Sequence, residues 1–126
     1  MEQVRILLCG SETFDDRAVI SDMLGRMWQR YGTPDDAILV HGSAPGPDLI
    51  AAEIWSEWGL PVEAHPAQWA ERGATAGADS NLEMVNAGAD MCVIFEAEGE
   101  SRRAEHCAGT ASEAGIPVSR VKINAG

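Results

Sequence analysis

The sequence predicts an α/β protein, and three observations point that way. Short apolar runs alternate with segments of helical spacing five times along the chain. The first, second and fourth runs (4–9, 37–40 and 91–95) are apolar on both faces rather than at alternate positions. Strands of that kind need cover above and below, as in a parallel sheet. Right-handed crossovers between parallel strands then leave few windings open. The expectation is a doubly wound, Rossmann-like sheet of five strands in the order 3-2-1-4-5, in three layers α/β/α. Ligands of such sheets lie beyond the carboxyl ends of the strands where the winding reverses, here between strands one and four. The loops that matter are then Gly10–Phe14, Gly42–Asp48 and Glu96–Arg103.

Val4-Arg5-Ile6-Leu7-Leu8-Cys9 forms the first strand. A loop follows, and Asp15-Asp16 opens a helix with the acidic residues its N-terminus favours. Ile20, Met23, Leu24, Met27, Trp28 and Tyr31 recur at three- and four-residue steps, a core-facing stripe that Gly32 caps and Pro34 stops. Ala37–Val40 is the second strand. The run His41-Gly42-Ser43-Ala44-Pro45-Gly46-Pro47 breaks the pattern, and from Asp48 the period is helical, with Ile50, Ile54, Trp55 and Trp58 on one side. Gly59-Leu60-Pro61 ends that helix, and Pro61–His65 is a short third strand. Residues 66–77 read as irregular, with Trp69 as their large anchor, packed under a pocket or stacked on a base. A helix over 79–88 has Leu82, Met84 and Val85 as its apolar positions. Met91–Phe95 is the fourth strand, Glu96–Glu100 a polar loop, 101–114 a helix capped by Gly115, and Pro117–Val121 the fifth strand. Trp28, Trp55 and Trp58 belong to the core or to a helical dimer face.

A length of 126 residues suits one domain with a real core, and 45% hydrophobic content suits a globular one. No apolar run approaches the roughly 20 residues of a membrane helix. Residues 4–9 are too short for a signal-peptide core and lack a basic cluster before them, so a cytoplasmic location is expected. The three cysteines, Cys9, Cys92 and Cys107, include no C-x-x-C pair, which indicates neither a disulfide framework nor a zinc site. His65 and His106 lack partners at metal-ligand spacing, and no metal or cofactor is expected. A net charge of −11 argues against nucleic-acid and anionic membrane surfaces. It leaves room for a basic protein partner.

A strand, a turn of small residues and a helix N-terminus, as in Val40 to Asp48, can form an anion site. The same residues also suit a tight strand-to-helix connection on geometry alone. The chain has no Gly-x-x-x-x-Gly-Lys and no Gly-x-Gly-x-x-Gly, so neither a P-loop nor the usual dinucleotide fingerprint is present.

Several short pieces follow one another along the chain: Gly10-Ser11 after the first strand, Val40-His41-Gly42 with Gly46 and Asp48, His65-Pro66-Ala67-x-Trp69, Gly73, Ala76-Gly77, Asn81 with Met84-Val85, Ala87-Gly88-Ala89-Asp90, and Ala114-Gly115-Ile116-Pro117-Val118. In these the chain resembles, over nearly its whole length, the small single-domain YspA-type proteins of the SLOG superfamily, which also contains DprA/Smf and the LOG cytokinin-activating enzymes. The resemblance implies a Rossmannoid pocket for a nucleotide or nucleotide-derived ligand in a protein of bacterial or phage origin. Enzymatic relatives cleave the N-glycosidic bond of nucleoside monophosphates. The chain departs from the pattern where phosphate would bind. Glu12 stands where Gly-Ser-Arg is usual, Ser43 for a glycine, Pro45 for an arginine, Pro47 for an alanine and Ser80 for an arginine. Arg103-Ala104 takes the place of a Gly-Thr turn, and Arg102 with Arg103 would move positive charge to another wall.

Glu12 reads as a solvated loop carboxylate before it reads as a general base. Asp48 suits a helix first turn and also matches a family motif position. His41 ends a buried strand beside the crevice, as a structural histidine or a ligand contact. The leading expectation is a non-catalytic domain binding a small nucleotide-like ligand through Gly10, Ser11, Gly42, Ser43 and Gly46, with Asp48 and Asn81 orienting sugar or base. An N-glycosidase like the LOG relatives, with Glu12 or Asp48 as its carboxylate, is the alternative. A third reading is an acidic protein-interaction module with a decayed pocket. Self-association as a homodimer or larger homo-oligomer is expected from the resemblance and the apolar helix stripes.

Overall fold

Five parallel strands lie side by side in the order β3-β2-β1-β4-β5, as expected. The computed structural model describes residues 4–11, 14–30, 37–43, 46–65, 82–96 and 102–122. The expectations for Tyr31, Gly32, Pro34 and Trp69 fall outside these residues. In chain order the elements are β1 (Arg5–Gly10), α1 (Arg17–Arg30), β2 (Ile38–His41), α2 (Pro47–Glu57) and β3 (Val62–Ala64). They continue with α3 over residues 82–87, β4 (Met91–Glu96), α4 (Arg102–Glu113) and β5 (Val118–Lys122).

The two-residue period of a strand sends neighbouring side chains to opposite faces, and both faces are covered. Ile6 and Leu8 of β1, Leu39 of β2, and Met91, Val93 and Phe95 of β4 pack with Ile20, Leu24 and Met27 of α1 and with Ala51, Ile54 and Trp55 of α2. Leu7, Cys9, Val40, Cys92 and Ile94 pack on the opposite face with Met84 and Val85 of α3 and with Cys107, Ala108 and Ala111 of α4. Burying each large aliphatic side chain contributes roughly 1.5–3 kcal/mol, so this double core is the main source of stability. The three cysteines are buried thiols.

Local chemistry sets the ends of the elements. Asp16 stands just outside α1, where its Oδ1 accepts the Val19 N–H at 3.1 Å, an N-cap rather than a helical residue. Trp55 fixes α2 to the start of β2 by donating its indole N–H to the carbonyl of Ala37 at 3.0 Å. Among the described residues no helix is long and apolar enough to cross a membrane.

Three apolar helix-stripe positions are exposed, Trp28 (39%), Trp58 (44%) and Leu82 (48%), so of the two readings for the tryptophans, core or helical dimer face, the first does not hold for Trp28 and Trp58. Trp58 lies beyond α2, where the helix has ended and the chain turns. Trp28 follows the buried Met27 by one residue, a step of about 100° around the helix and away from the core. Leu82 lies outside the buried pair Met84 and Val85. Gly25, Trp28 and Gln29 of α1 and Trp58, Gly59 and Leu60, which follow α2, line an open groove of about 720 Å³.

Candidate functional site

The winding of the sheet reverses between β1 and β4, so the chain leaves these two adjacent strands in different directions. Their pairing runs to the end of β1, with Gly10 opposite Phe95. The next residues, Ser11 and Glu96, are therefore neighbours at the carboxyl edge. The Ser11 N–H donates to the Phe95 carbonyl at 2.8 Å, and the Ser11 carbonyl accepts the Phe14 N–H at 3.0 Å. Phe14 then meets Phe95 edge-on, with ring centroids 5.2 Å apart, and floors this part of the edge.

Gly10 is required here by close approach. A Cβ at this position would lie 2.5 Å from the Phe95 carbonyl oxygen and 2.9 Å from Cγ of Pro47. Three elements, β1, β4 and the first turn of α2, thus converge on one residue. Pro47, which replaces a smaller residue of the resembled pattern, occupies the space beside Gly10.

The loop after β2 is tied together from within. Asp48 is fully buried, and its Oδ2 accepts the Gly42 N–H at 2.8 Å. The Ser43 N–H donates to Nδ1 of His41 at 2.9 Å. An Nδ1 that accepts carries no proton, so the neutral ring holds its hydrogen on Nε2. Ser43 has φ 59, a left-handed conformation uncommon outside glycine. That explains the glycine preference the resemblance implies at this position. Gly46, with φ 91 and ψ −131, makes the turn into α2, and its carbonyl accepts the Ile50 N–H at 3.2 Å. Two of the backbone N–H groups expected to face a ligand, those of Gly42 and Ser43, are thus donated inside the loop.

The structure brings Gly10, Ser11, His41, Gly42, Ser43, Gly46 and Asp48 to one edge of the sheet. Glu12 and Asn81 lie outside the described residues, as do the side chains of Arg102 and Arg103, the first two residues of α4.

Sequence reasoning missed Glu96. It is only 7% exposed at the end of β4, and its Oε1 accepts from Arg120 Nη1 of β5 at 2.7 Å. The same nitrogen donates to Oε1 of Glu105 on α4 at 2.9 Å. The signal available was position, since Glu96 directly follows five apolar strand residues. The described edge therefore carries two buried carboxylates, those of Asp48 and Glu96, and an arginine shared between two glutamates.

Fold and edge together define a doubly wound α/β protein whose sheet reverses between β1 and β4. The family model for the YspA, cpYpsA-related SLOG family (YAcAr) matches residues 4–71, from β1 through β3 and both glycine-bearing loops. The Gene 61 protein of Mycobacterium phage D29 is 40% identical over 121 residues, 90% of this chain and 93% of the phage protein. The chain belongs to the YspA, cpYpsA-related SLOG family. No solved structure gives a significant match.

Proposed function

We propose that this protein binds a small nucleotide-derived ligand at the carboxyl edge of β1, β2 and β4, and that it does so without turning the ligand over. The observation that carries this reading is the convergence of β1, β4 and the start of α2 on Gly10 at the reversal of the sheet. Sheets of this winding hold their ligands at that point. Membership of the SLOG family supports a nucleotide-related ligand. The departures at Glu12, Pro45 and Ser80, which remove cations from the phosphate side, support binding without catalysis.

The test is thermal unfolding against a panel of AMP, ADP-ribose, NAD and cyclic dinucleotides. A ligand at 100 times its dissociation constant adds about 2.7 kcal/mol. For a domain of this size the melting temperature then rises by several degrees. Ser11→Ala and Asn81→Ala reduce that rise. A flat panel with folded protein refutes the reading.

One observation favours a second reading. Glu96 is a buried carboxylate at the carboxyl end of β4, the strand paired with β1, and glycosidic cleavage needs a carboxylate to stabilise an oxocarbenium-like centre. Free base released from AMP, and lost in Glu96→Gln or Asp48→Asn, would establish an N-glycosidase in place of a binding domain.

A further inference from the structure

His65 lies between two carboxylates. Its Nε2 is 2.7 Å from Oε2 of Glu63 on β3, and its Nδ1 is 2.7 Å from Oε1 of Glu83 on α3. An ionised carboxylate only accepts hydrogen bonds, and a neutral imidazole has a single N–H to give. The neutral ring satisfies one contact and turns a lone pair toward the other. The imidazolium donates to both.

The two contacts differ in how firmly they are backed. Glu63 is gripped by Arg5, with Nη1 to Oε1 at 3.0 Å and Nη2 to Oε2 at 2.5 Å. Arg5 is held in turn by its Nε–H on the Gly88 carbonyl at 2.8 Å and by its backbone N–H on the Asp90 carboxylate at 2.7 Å. The His65 backbone N–H donates to the His41 carbonyl at 2.7 Å. His65, Glu63 and Arg5 thus form one block across β3, β2, β1 and the turn into β4. Glu83 has a side chain 65% exposed on a separate helix, so its contact is the one that opens.

We propose that His65 is a proton-dependent latch that fastens the turn of α3 carrying Glu83 to the carboxyl end of β3, closed when the ring is charged and open when it is neutral. Among the described residues, the charged groups facing the ring are Glu63 from β3 and Glu83 from α3. Arg5 of β1 stands behind Glu63, and Asp90 stands behind Arg5. From β2 the ring's own backbone meets the carbonyl of His41, whose imidazole is engaged with Ser43. Burial would lower the His65 pKa, but hydrogen bonds to Glu63 and Glu83, and their charges, outweigh it and raise it above the ordinary 6.5. The latch and its stabilising contribution are complete below that value and are lost as pH rises through the folded-state pKa. The latch sits at the same sheet edge as Ser11 and His41 and stands on its own contacts, whether or not a ligand binds.

The experiment follows the ring and the helix together in the ligand-free protein. Ring ¹⁵N shifts of His65 are recorded from pH 5.5 to 9, with hydrogen exchange of the α3 amides corrected for intrinsic rates. Both ring nitrogens are expected to be protonated at the acid end. Protection of α3 is expected to fall about tenfold as the proton leaves, the scale of one charge-assisted, partly exposed hydrogen bond. β1 and α1 are expected to show no such step. Glu83→Gln, at an exposed position, keeps the fold, moves the ring titration to lower pH and abolishes the step. His65→Gln makes α3 protection independent of pH. A ring carrying a single proton at pH 5.5, unchanged α3 protection across the titration, or a step that survives in Glu83→Gln would overturn the proposal.

Discussion

Alanine at position 10 tests whether three elements truly converge there. Its Cβ would lie 2.5 Å from the Phe95 carbonyl oxygen, 2.9 Å from Pro47 Cγ and 3.2 Å from Phe95 Cβ. Carbon and oxygen in ordinary close contact stay about 3.3–3.6 Å apart. The chain must therefore yield by nearly an ångström. The oxygen is badly placed to move, because it accepts the Ser11 N–H at 2.8 Å and belongs to the paired β1–β4 register. Overpacking typically costs about 1–3 kcal/mol. A collision with tethered backbone belongs at the upper end, so Gly10→Ala is expected to lose about 3 kcal/mol. For a chain of this length that lowers the melting temperature by roughly 10 °C. Thermal melts and urea titrations at pH 6 read it, with an unchanged m-value showing that the folded and unfolded states expose the same surface. Gly25→Ala is the matched control. There the Cβ meets only Trp58 Cη2 at 3.9 Å, inside a helix, and about 0.5–1 kcal/mol of stabilisation is expected. Gly10→Ala with Pro47→Ala relieves the 2.9 Å contact alone and recovers less than half of the loss. A Gly10→Ala protein melting within 2 °C of the wild type would refute the convergence.

Asp48→Ala strands the buried Gly42 N–H and is expected to cost about 2 kcal/mol in urea unfolding, while Asp48→Asn, which keeps an acceptor, recovers at least half. Trp55→Phe removes the donor to the buried Ala37 carbonyl and is expected to cost about 1–2 kcal/mol by the same assay. The Glu63 carboxyl is held down to about 2, first by the hydrogen bond from Arg5 and then by that from His65. Its stabilisation is present above pH 4.5 and fades as pH falls toward 2, so Glu63→Gln is expected to flatten the acid limb of a stability-against-pH curve. An unchanged limb would remove Glu63 from the account.

The parallel sheet was legible because β1, β2 and β4 are apolar on both faces, while the order of its strands rested partly on the family resemblance. Helix faces were legible only in part. The spacing of Ile54, Trp55 and Trp58 identifies a stripe, but not that α2 ends at Glu57 and leaves Trp58 on a turn. Likewise, Trp28 is apolar at a plausible step, yet its neighbour Met27 takes the buried position. The candidate site was legible as a set of loops, since loops after parallel strands gather at one edge. Its internal bonding was not. Asp48 to Gly42 and Ser43 to His41 depend on backbone angles that composition does not specify, including φ 59 at a serine. Glu96 read as the start of a polar loop because its charge partner, Arg120, lies 24 residues further on. His65 has one carboxylate partner close in sequence, Glu63 two residues before it, but the second, Glu83, is 18 residues away, so the paired contact was not legible.

The first strand made is the one that ends in the middle of the sheet. β2 flanks it early, but its other neighbour, β4, arrives only some 85 residues after Arg5, the separation across the Arg5–Asp90 bond. Throughout that interval of synthesis one edge of β1 has no strand to pair with, and its side chains Leu7 and Cys9 lack their full cover. An open, apolar edge is the feature that recruits strands from other molecules. Completion of this fold is therefore governed by the arrival of Met91–Glu96, and a chain cut short before β4 keeps an adhesive edge exposed.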